Sequence, residues 1–304
     1  MSYFLAIDAG GTKTDYLLAD ETREIARVRT GTIKRMRADA DITTANLEQA
    51  LAELTAQSGI SMQAIHCTCI GTAGWTVPLV TDFLKKEIPA RVAGTFMLLE
   101  DIEIAVDAAF FGKPGVLAIA GTGSNVAGRD VTGRLTGAGG YGPALADQGS
   151  GHRIGHEALR AIFLAHDRGI STTMLPAVLE FWNLTSLEDI VDFANRRPSP
   201  DFSQLTELVV RCAGSGDSVA AEVLHQQGDE LGELVRLVMR RIQTASPDAA
   251  FVPPVAFTGS ILEKVLPVRE ALVASLQREF PSVHVLDGSI DPIQGALWRA
   301  RNGS

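Results

Sequence analysis

FLAIDAGGTKTDYLLAD, residues 4–20, is the most informative stretch of the chain. It is typical of an apolar strand over Phe4–Ile7, a tight turn at residues 9–12, and a second strand through Tyr16–Leu18. Two adjacent glycines between apolar segments predict a β-hairpin, because glycine adopts positive φ angles and lets the backbone approach a bound group. From these residues alone, the hairpin is either an ordinary surface feature or a ligand-binding turn.

The polar residues around this turn are suited to binding a phosphate. Asp8 ends the first strand, and the turn continues through Gly10, Gly11, Thr12 and Lys13. Exposed backbone amides, a hydroxyl and a cation can bind phosphate oxygens, while a carboxylate can hold the accompanying Mg²⁺. We therefore take Asp8 as a candidate metal ligand and the four turn residues as candidate phosphate ligands.

A second copy of the pattern occurs at residues 115–130, GVLAIAGTGSNVAGRD. An apolar strand is followed by a glycine turn and a return strand over Asn125–Gly128, and two such units predict a duplicated α/β fold with two hairpins facing a cleft. Neither copy is a P-loop, because that motif needs glycine directly before its lysine. The candidate phosphate ligands of the second turn are Gly121, Thr122, Gly123 and Ser124.

DAGGTKT at residues 8–14, followed by AGTGSN at residues 120–125, resembles the sugar-kinase/actin/Hsp70 ATPase superfamily. More narrowly, the chain resembles the N-acetylglucosamine kinases and the BadF/BadG/BcrA/BcrD ATPases. The resemblance implies an actin-like (ribonuclease H-like) fold with two lobes around a central cleft. The expected lobes are residues 1–113 with a closing helix at 291–304, and residues 114–290 with a helical insertion at about 171–245.

The resemblance also implies an activity, the transfer of the γ-phosphate of ATP to a hydroxyl of an amino sugar or hexose, with Mg²⁺ as cofactor. Asp101, 20 residues before Gly121, matches the catalytic base of these kinases. An aspartate at a strand end can accept the hydroxyl proton, although Asp101 also suits a helix N-cap. Sugar-side residues implied by the resemblance are Gly74, Trp75, Gly140, Tyr141 and Asp147, and those expected beneath adenosine are Gly259 and Ser260.

Two departures from the family pattern affect substrate choice. The loop at residues 31–37 lacks the asparagine with which these kinases bind sugar hydroxyls and contains Lys34, Arg35 and Arg37 instead. This loop is either a solvated basic segment or a contact for a carboxylate or phosphate of the substrate. Gln148 stands where the family has glutamate, so a sugar contact there would be weaker or different.

Composition excludes several other classes of function. A net charge of −9 without a basic run argues against nucleic acid and against an anionic membrane surface. The chain starts directly in a predicted strand, and no apolar run suits a membrane span. The three cysteines, Cys67, Cys69 and Cys212, favour a reducing cytoplasm, and the first two are expected to be buried thiols on one strand.

Two alternative functions remain open at this level. One is an ATPase that drives a conformational change in a redox partner through an iron–sulfur cluster, and the other is a sugar sensor without turnover. A homodimer is expected by analogy with the family. The last predicted elements are a strand over Val283–Leu286 and a helix over Pro292–Asn302.

Overall fold

The computed structural model describes residues 1–303, which divide into two compact units. The first unit comprises Met1–Lys113 and the C-terminal residues from Gly288 onward, and the second comprises Pro114–Asp287. Each unit has its own β-sheet, in which a glycine turn joins two antiparallel strands. This duplicated α/β architecture confirms the prediction made from the paired hairpin motifs.

The sheet of the first unit places several strand ends at one edge. Its strands are β1 (Tyr3–Ala9), β2 (Lys13–Ala19), β3 (Glu24–Gly31), β4 (Ile65–Thr72) and β5 (Thr95–Leu99), in the order β3-β2-β1-β4-β5. The first three form an antiparallel meander, whereas β4 pairs in parallel with both β1 and β5. The carboxyl ends of β1, β4 and β5 therefore share the edge at which open α/β sheets bind ligands.

Helices cover both faces of this sheet. Successive side chains of a strand point to opposite faces, so a strand such as β1 contributes to two buried clusters. The helices are α1 (Ala40–Ser58), α2 (Pro78–Glu87) and α3 (Asp101–Phe110). Leu5 and Ile7 of β1 belong to the same buried cluster as Leu47 of α1. Phe4, on the opposite face, belongs to a second cluster with Ile104 of α3.

The second unit combines a four-stranded sheet with a helical layer. Its strands are β6 (Gly115–Ala120), β7 (Ser124–Arg129), β8 (Leu135–Gly139) and β9 (Val255–Thr258), in the order β8-β7-β6-β9. Its helices are α4 (Gly151–Asp167), α5 (Met174–Trp182), α6 (Leu187–Ala194), α7 (Thr206–Gly214), α8 (Ser218–Ala245), α9 (Ser260–Lys264) and α10 (Leu266–Glu279). The long helix α8 packs on the sheet and is covered by α10.

Three segments of the second unit differ from the expectation from sequence. Leu135–Gly139 forms β8, a strand that was not predicted, because ladder hydrogen bonds to β7 do not require large side chains. The strand expected at Val283–Leu286 is wrong: the pairing there is a single bridge between Val255 and Val285. Helix α10 has no counterpart among the predicted elements, and its Leu272 is fully buried.

The last helix, α11 (Pro292–Asn302), belongs to the first unit and packs against α3 and the sheet. Its close approach requires a glycine, because a Cβ on Gly295 would lie 1.8 Å from the carbonyl oxygen of Ile104. Arg299 stabilises the contact by donating hydrogen bonds to Asp107 at 2.5 Å and to Glu103 at 3.0 Å. Across residues 1–303, no helix combines the length and hydropathy that a bilayer span requires.

Candidate active site

The turn between β1 and β2 is closed tightly and braced from one side. A Cβ on Gly10 would lie 2.8 Å from the carbonyl oxygen of Lys13, so the turn has no room for a larger residue there. The Thr32 hydroxyl donates a 2.8 Å hydrogen bond to the carbonyl of Gly10. Gly11, Thr12 and Lys13 are exposed, which leaves the tip of the turn accessible to a ligand.

Asp8 lies in a group of carboxylates beside this turn. It is directly paired across the strands with Asp15, which is salt-bridged to Arg29 at 2.8 Å. Burial, followed by the charges of Asp15, Asp101 and Asp291, raises the pKa of Asp8 to about 6, while Lys13 acts in the opposite direction. The ionised form of Asp8 is therefore destabilised until a cation balances it, and a metal ion beside a bound phosphate would supply that charge.

Asp101 begins α3 as its first helical residue. The preceding Glu100 occupies the N-cap position, so the expectation of Asp101 as N-cap is wrong by one residue. One Asp101 carboxylate oxygen accepts a 2.9 Å hydrogen bond from the backbone amide of Ile102, which fixes the side chain at the helix start. The sheet register pairs Asp8 with Gly71 and Gly71 with Leu99, two residues before Asp101, so both carboxylates lie at the same edge of the sheet.

The predicted sugar-side loop of the first unit lies next to Asp101 in the fold. The Trp75 indole N–H donates a hydrogen bond to the carboxylate of Glu100, the residue immediately before Asp101. A Cβ on Gly74 would lie 3.7 Å from the sulfur of Met36, so this loop also borders the basic segment. Trp75 is 43% exposed, which leaves its indole available for contact with a bound molecule.

The basic segment Lys34–Arg37 is held against the hairpin by hydrogen bonds. The backbone amide of Lys34 donates to the Thr32 hydroxyl at 3.0 Å, and the Asn46 side chain donates to the Thr32 carbonyl at 2.9 Å. The Arg37 Nε lies 3.8 Å from the position that a Cβ on Gly11 would take. The segment is therefore part of the same site as the first turn.

In the second unit, the predicted phosphate turn is linked to the start of α4. The Gly121 amide donates to the Gly123 carbonyl at 2.9 Å, and the Ser124 hydroxyl donates to the Gln148 carbonyl at 2.8 Å. Gly151 donates its amide to the Gly121 carbonyl at 2.8 Å. This turn is therefore rigidly attached to the helix N-terminus, where backbone amides favour anions.

The three sugar-side candidates of the second unit are placed differently. Asp147 is buried with a φ of 68°, and its Oδ2 lies 3.0 Å from where a Cβ on Gly123 would stand. Asp147 thus borders the phosphate turn. Gly140 immediately follows β8, where a Cβ would lie 2.7 Å from Oδ1 of Asn125, and the adjacent Tyr141 is 72% exposed.

Ser260 borders a cavity in the second unit, and Gly259 directly precedes it. Gly259 has a φ of 97°, and a Cβ there would lie 2.3 Å from the Ala120 carbonyl oxygen, so only glycine fits. Its amide donates to the Glu263 carboxylate at 3.0 Å. The cavity measures about 220 Å³, and its lining includes Gly121, Thr122, Glu207, Ser260 and Lys264. The predicted adenosine loop therefore lies next to the predicted phosphate turn of the second unit.

The cysteines are free and buried, as predicted for inert thiols. Burial raises the pKa of Cys67 and, more strongly, that of Cys69, which disfavours their thiolates. Sequence reasoning missed two members of the carboxylate group, Asp15 and Asp291. The β-hairpin register could have indicated Asp15, whereas Asp291 is 283 residues from Asp8 and no local pattern connects them.

The fold is similar to that of solved structures described as sugar kinases. A structure from Chromobacterium violaceum, provisionally named an N-acetylglucosamine kinase, matches with a TM-score of 0.70 at 23% identity over 98% of both chains. A ROK hexokinase from Thermus thermophilus matches with a TM-score of 0.64 at 12% identity, over 98% of this chain and 97% of that one.

The chain belongs to the BadF/BadG/BcrA/BcrD ATPase family, whose sequence model matches residues 5–300. The N-acetylmuramic acid/N-acetylglucosamine kinase of Clostridium acetobutylicum is 25% identical over 99% of both chains. The N-acetyl-D-glucosamine kinase of Dictyostelium discoideum is 26% identical over 98% of both. The predicted resemblance is confirmed.

Proposed function

We propose that this protein is an ATP-dependent kinase that phosphorylates a hydroxyl of an amino sugar. The observation that carries the proposal is the placement of Asp101 at the start of α3, after β5, at the sheet edge where Asp8 and the glycine turn of the first hairpin also lie. A carboxylate that can accept a proton is thus adjacent to a phosphate-binding element. Full-length similarity to proteins named as amino-sugar kinases supports the same reaction class.

The catalytic role falls to Asp101. It accepts the proton of the attacking sugar hydroxyl as that oxygen bonds to the γ-phosphorus and the bond to the β–γ bridging oxygen breaks. The local hydrogen bond from the Ile102 amide holds the carboxylate in one orientation. Positioning contributes much of the acceleration in phosphoryl transfer, so a fixed base is an advantage. The residues that would contact the sugar are Gly74, Trp75, Gly140, Tyr141 and Asp147.

In each unit, the glycine turn carries the candidate ligands for the nucleotide phosphates. Backbone amides of the two turns and the Ser124 hydroxyl are suited to phosphate oxygens, and Lys13 adds a positive charge. Gly259 and Ser260 would lie beneath adenosine, which agrees with the position of Ser260 on the wall of the 220 Å³ cavity. The phosphate ligands in this proposal are Gly10, Gly11, Thr12, Lys13, Gly121, Thr122, Gly123 and Ser124.

The residues present fit a Mg²⁺ ion that arrives with ATP. Among residues 1–303 no three His, Cys, Asp or Glu side chains form a ready ligand cage, so the ion would be held mainly by phosphate and water. Mg²⁺ commonly binds in this way, with one or two carboxylates. Asp8 would be the protein ligand, directly or through water, because a cation would offset the burial and the neighbouring carboxylates that raise its pKa. The ion would neutralise charge on the transferred phosphoryl group.

The test is ADP release with Mg-ATP across hexoses and amino sugars, on wild type and on Asp101→Asn. We expect sugar-stimulated turnover that falls by about 10²–10⁴-fold in Asp101→Asn, the range for loss of a general base. Asp82→Asn, an exposed residue on α2, is the matched control and should retain activity. Sugar-independent hydrolysis that is indifferent to Asp101→Asn would refute the kinase and favour a coupled ATPase.

We also propose that the protein acts in the cytoplasm as a homodimer. The family resemblance supports the dimer, and the buried free thiols agree with a reducing compartment. Light scattering of the purified protein at micromolar concentration would measure the mass; a monomer mass of 32.4 kDa would refute the dimer.

A further inference from the structure

The start of α3 is held by contacts with distant parts of the chain. Glu100 occupies the N-cap position, yet within the described chain its side chain forms no capping hydrogen bond. Its carboxylate instead accepts the hydrogen bond from the Trp75 indole. A side-chain cap normally secures the first turn of a helix, so the position of Asp101 depends on what packs against α3.

Arg299 of α11 binds two carboxylates on successive turns of α3. Its Nε donates to Asp107 at 2.5 Å, and one terminal nitrogen donates to Glu103 at 3.0 Å. Residues four apart lie on the same face of a helix, so one planar guanidinium holds both turns at once. Asp107 is fully buried, so water and salt screen this contact little.

A backbone contact next to the guanidinium sets the distance between the two helices. A Cβ on Gly295 would lie 1.8 Å from the carbonyl oxygen of Ile104 and 2.5 Å from the amide nitrogen of Ala108. Gly295 is one helical turn before Arg299, so the two contacts lie side by side on α11. Together they fix the separation, the rotation and the register of α3 against α11.

Resting on the proposed kinase function, we propose that Arg299 is a positioning residue for Asp101, which it orients through Glu103 and Asp107. Glu103 lies in the first turn of α3, two residues after Asp101, so the guanidinium holds the turn that carries the base. Without this contact α3 can rotate or shift, and a displacement of about 1 Å at a reacting group can cost about 100-fold in rate. Arg299 itself contacts neither the sugar nor ATP.

The experiment measures kcat and KM with Mg-ATP and N-acetylglucosamine for wild type, Arg299→Gln and Arg299→Lys. In Arg299→Gln we expect kcat to fall by about 10- to 100-fold, while KM for ATP changes by less than about threefold. Arg299→Lys keeps the charge but not the planar fork and should recover part of the loss. An unchanged kcat in Arg299→Gln overturns the proposal.

Arg91→Gln is the matched control, because Arg91 makes the same kind of bridge in the same unit. Its guanidinium donates to Glu87 at 2.5 Å and to Glu48 at 2.8 Å, and its side chain is 26% exposed against 20% for Arg299. It joins α1 to the end of α2, so kcat should stay within about twofold of wild type. Equal falls in kcat for the two variants would reflect a general loss of stability and overturn the proposal.

A double-mutant cycle tests whether Arg299 acts through Asp101. If it does, the addition of Arg299→Gln to Asp101→Asn should lower the residual rate by less than about twofold, because the base that Arg299 orients is already lost. If the effects of the two substitutions instead multiply, Arg299 acts on another part of the protein and the proposal is wrong.

Amide hydrogen exchange separates this inference from the proposed function, because it requires no turnover. A peptide covering residues 99–106 should exchange at least about threefold faster in Arg299→Gln than in wild type, and at the wild-type rate in Arg91→Gln. If this pattern occurs and wild type shows no sugar-stimulated turnover, the kinase function fails while the positioning of Asp101 stands. Unchanged exchange in Arg299→Gln overturns the inference, whatever the turnover of wild type.

Discussion

Replacement of Asp8 by asparagine should stabilise the protein while it impairs the reaction. The pKa of Asp8 rises from its ordinary value of 3.8 to about 6, chiefly through burial and then through the neighbouring carboxylates. Each tenfold change in a proton equilibrium corresponds to about 1.4 kcal/mol, so ionised Asp8 costs the folded state about 3 kcal/mol. The uncharged amide of the Asp8→Asn variant would avoid this cost.

The sign of the pH dependence follows from the same pKa values. Between pH 3.8 and about 6 the folded state holds the Asp8 proton while the unfolded state has released it. The contribution of Asp8 to stability therefore decreases as pH rises through this window and reaches its full loss above pH 7. The advantage of Asp8→Asn should be under about 1 kcal/mol at pH 4 and about 3 kcal/mol at pH 7.5.

The assay is urea unfolding of nucleotide-free and metal-free protein at the two pH values, followed by tryptophan fluorescence. Trp75 and Trp298 lie in the first unit and report on the region that contains Asp8. Asp82→Asn, which removes an exposed carboxylate, controls for net charge. For each variant, the difference in unfolding free energy from wild type is compared between the two pH values. If that difference changes no more for Asp8→Asn than for Asp82→Asn, then Asp8 is not held in a destabilised ionised form.

Two further predictions concern close backbone contacts. Gly259→Ala should lower the free energy of unfolding by at least about 1–3 kcal/mol, because alanine is strained at this positive φ and its methyl would meet the Ala120 carbonyl. Gly214→Ala has open space around it and should be neutral or stabilising by up to about 1 kcal/mol; equal melting temperatures for the two variants would contradict this. Gly295→Ala should separate α11 from the Ile104 carbonyl and destabilise by about 1–3 kcal/mol, seen as faster amide exchange in α11, and unchanged exchange would refute the contact.

The parts of the fold that could be predicted from sequence are those with local signals. The hairpin at residues 4–20 combines a glycine pair with apolar strands on both sides, and each of those features acts within a few residues. The observed β1 and β2 therefore match the predicted strands closely. The same applies to α8, whose inward positions recur at helical spacing over 28 residues.

The parts that could not be predicted depend on distant partners. β8 is a strand because β7 pairs with it, although its own sequence, LTGAG, is typical of a loop. At the candidate site, Asp101 could be placed from its spacing and strand end, whereas the pKa of Asp8 depends on Asp291 from the far end of the chain. Side-chain charges interact through space, and the number of residues between two positions does not determine the distance between their charges in the fold.

The return of α11 to the first unit has a consequence for biosynthesis. Phe4 and Cys69 share a buried cluster with Ile293 and Leu297, which are translated after the whole of the second unit. During translation the second unit can complete its core while one apolar face of the first sheet is covered only by α3. The unit that begins first is therefore the one that finishes last, and its partly covered face is a surface that a chaperone could bind until α11 leaves the ribosome.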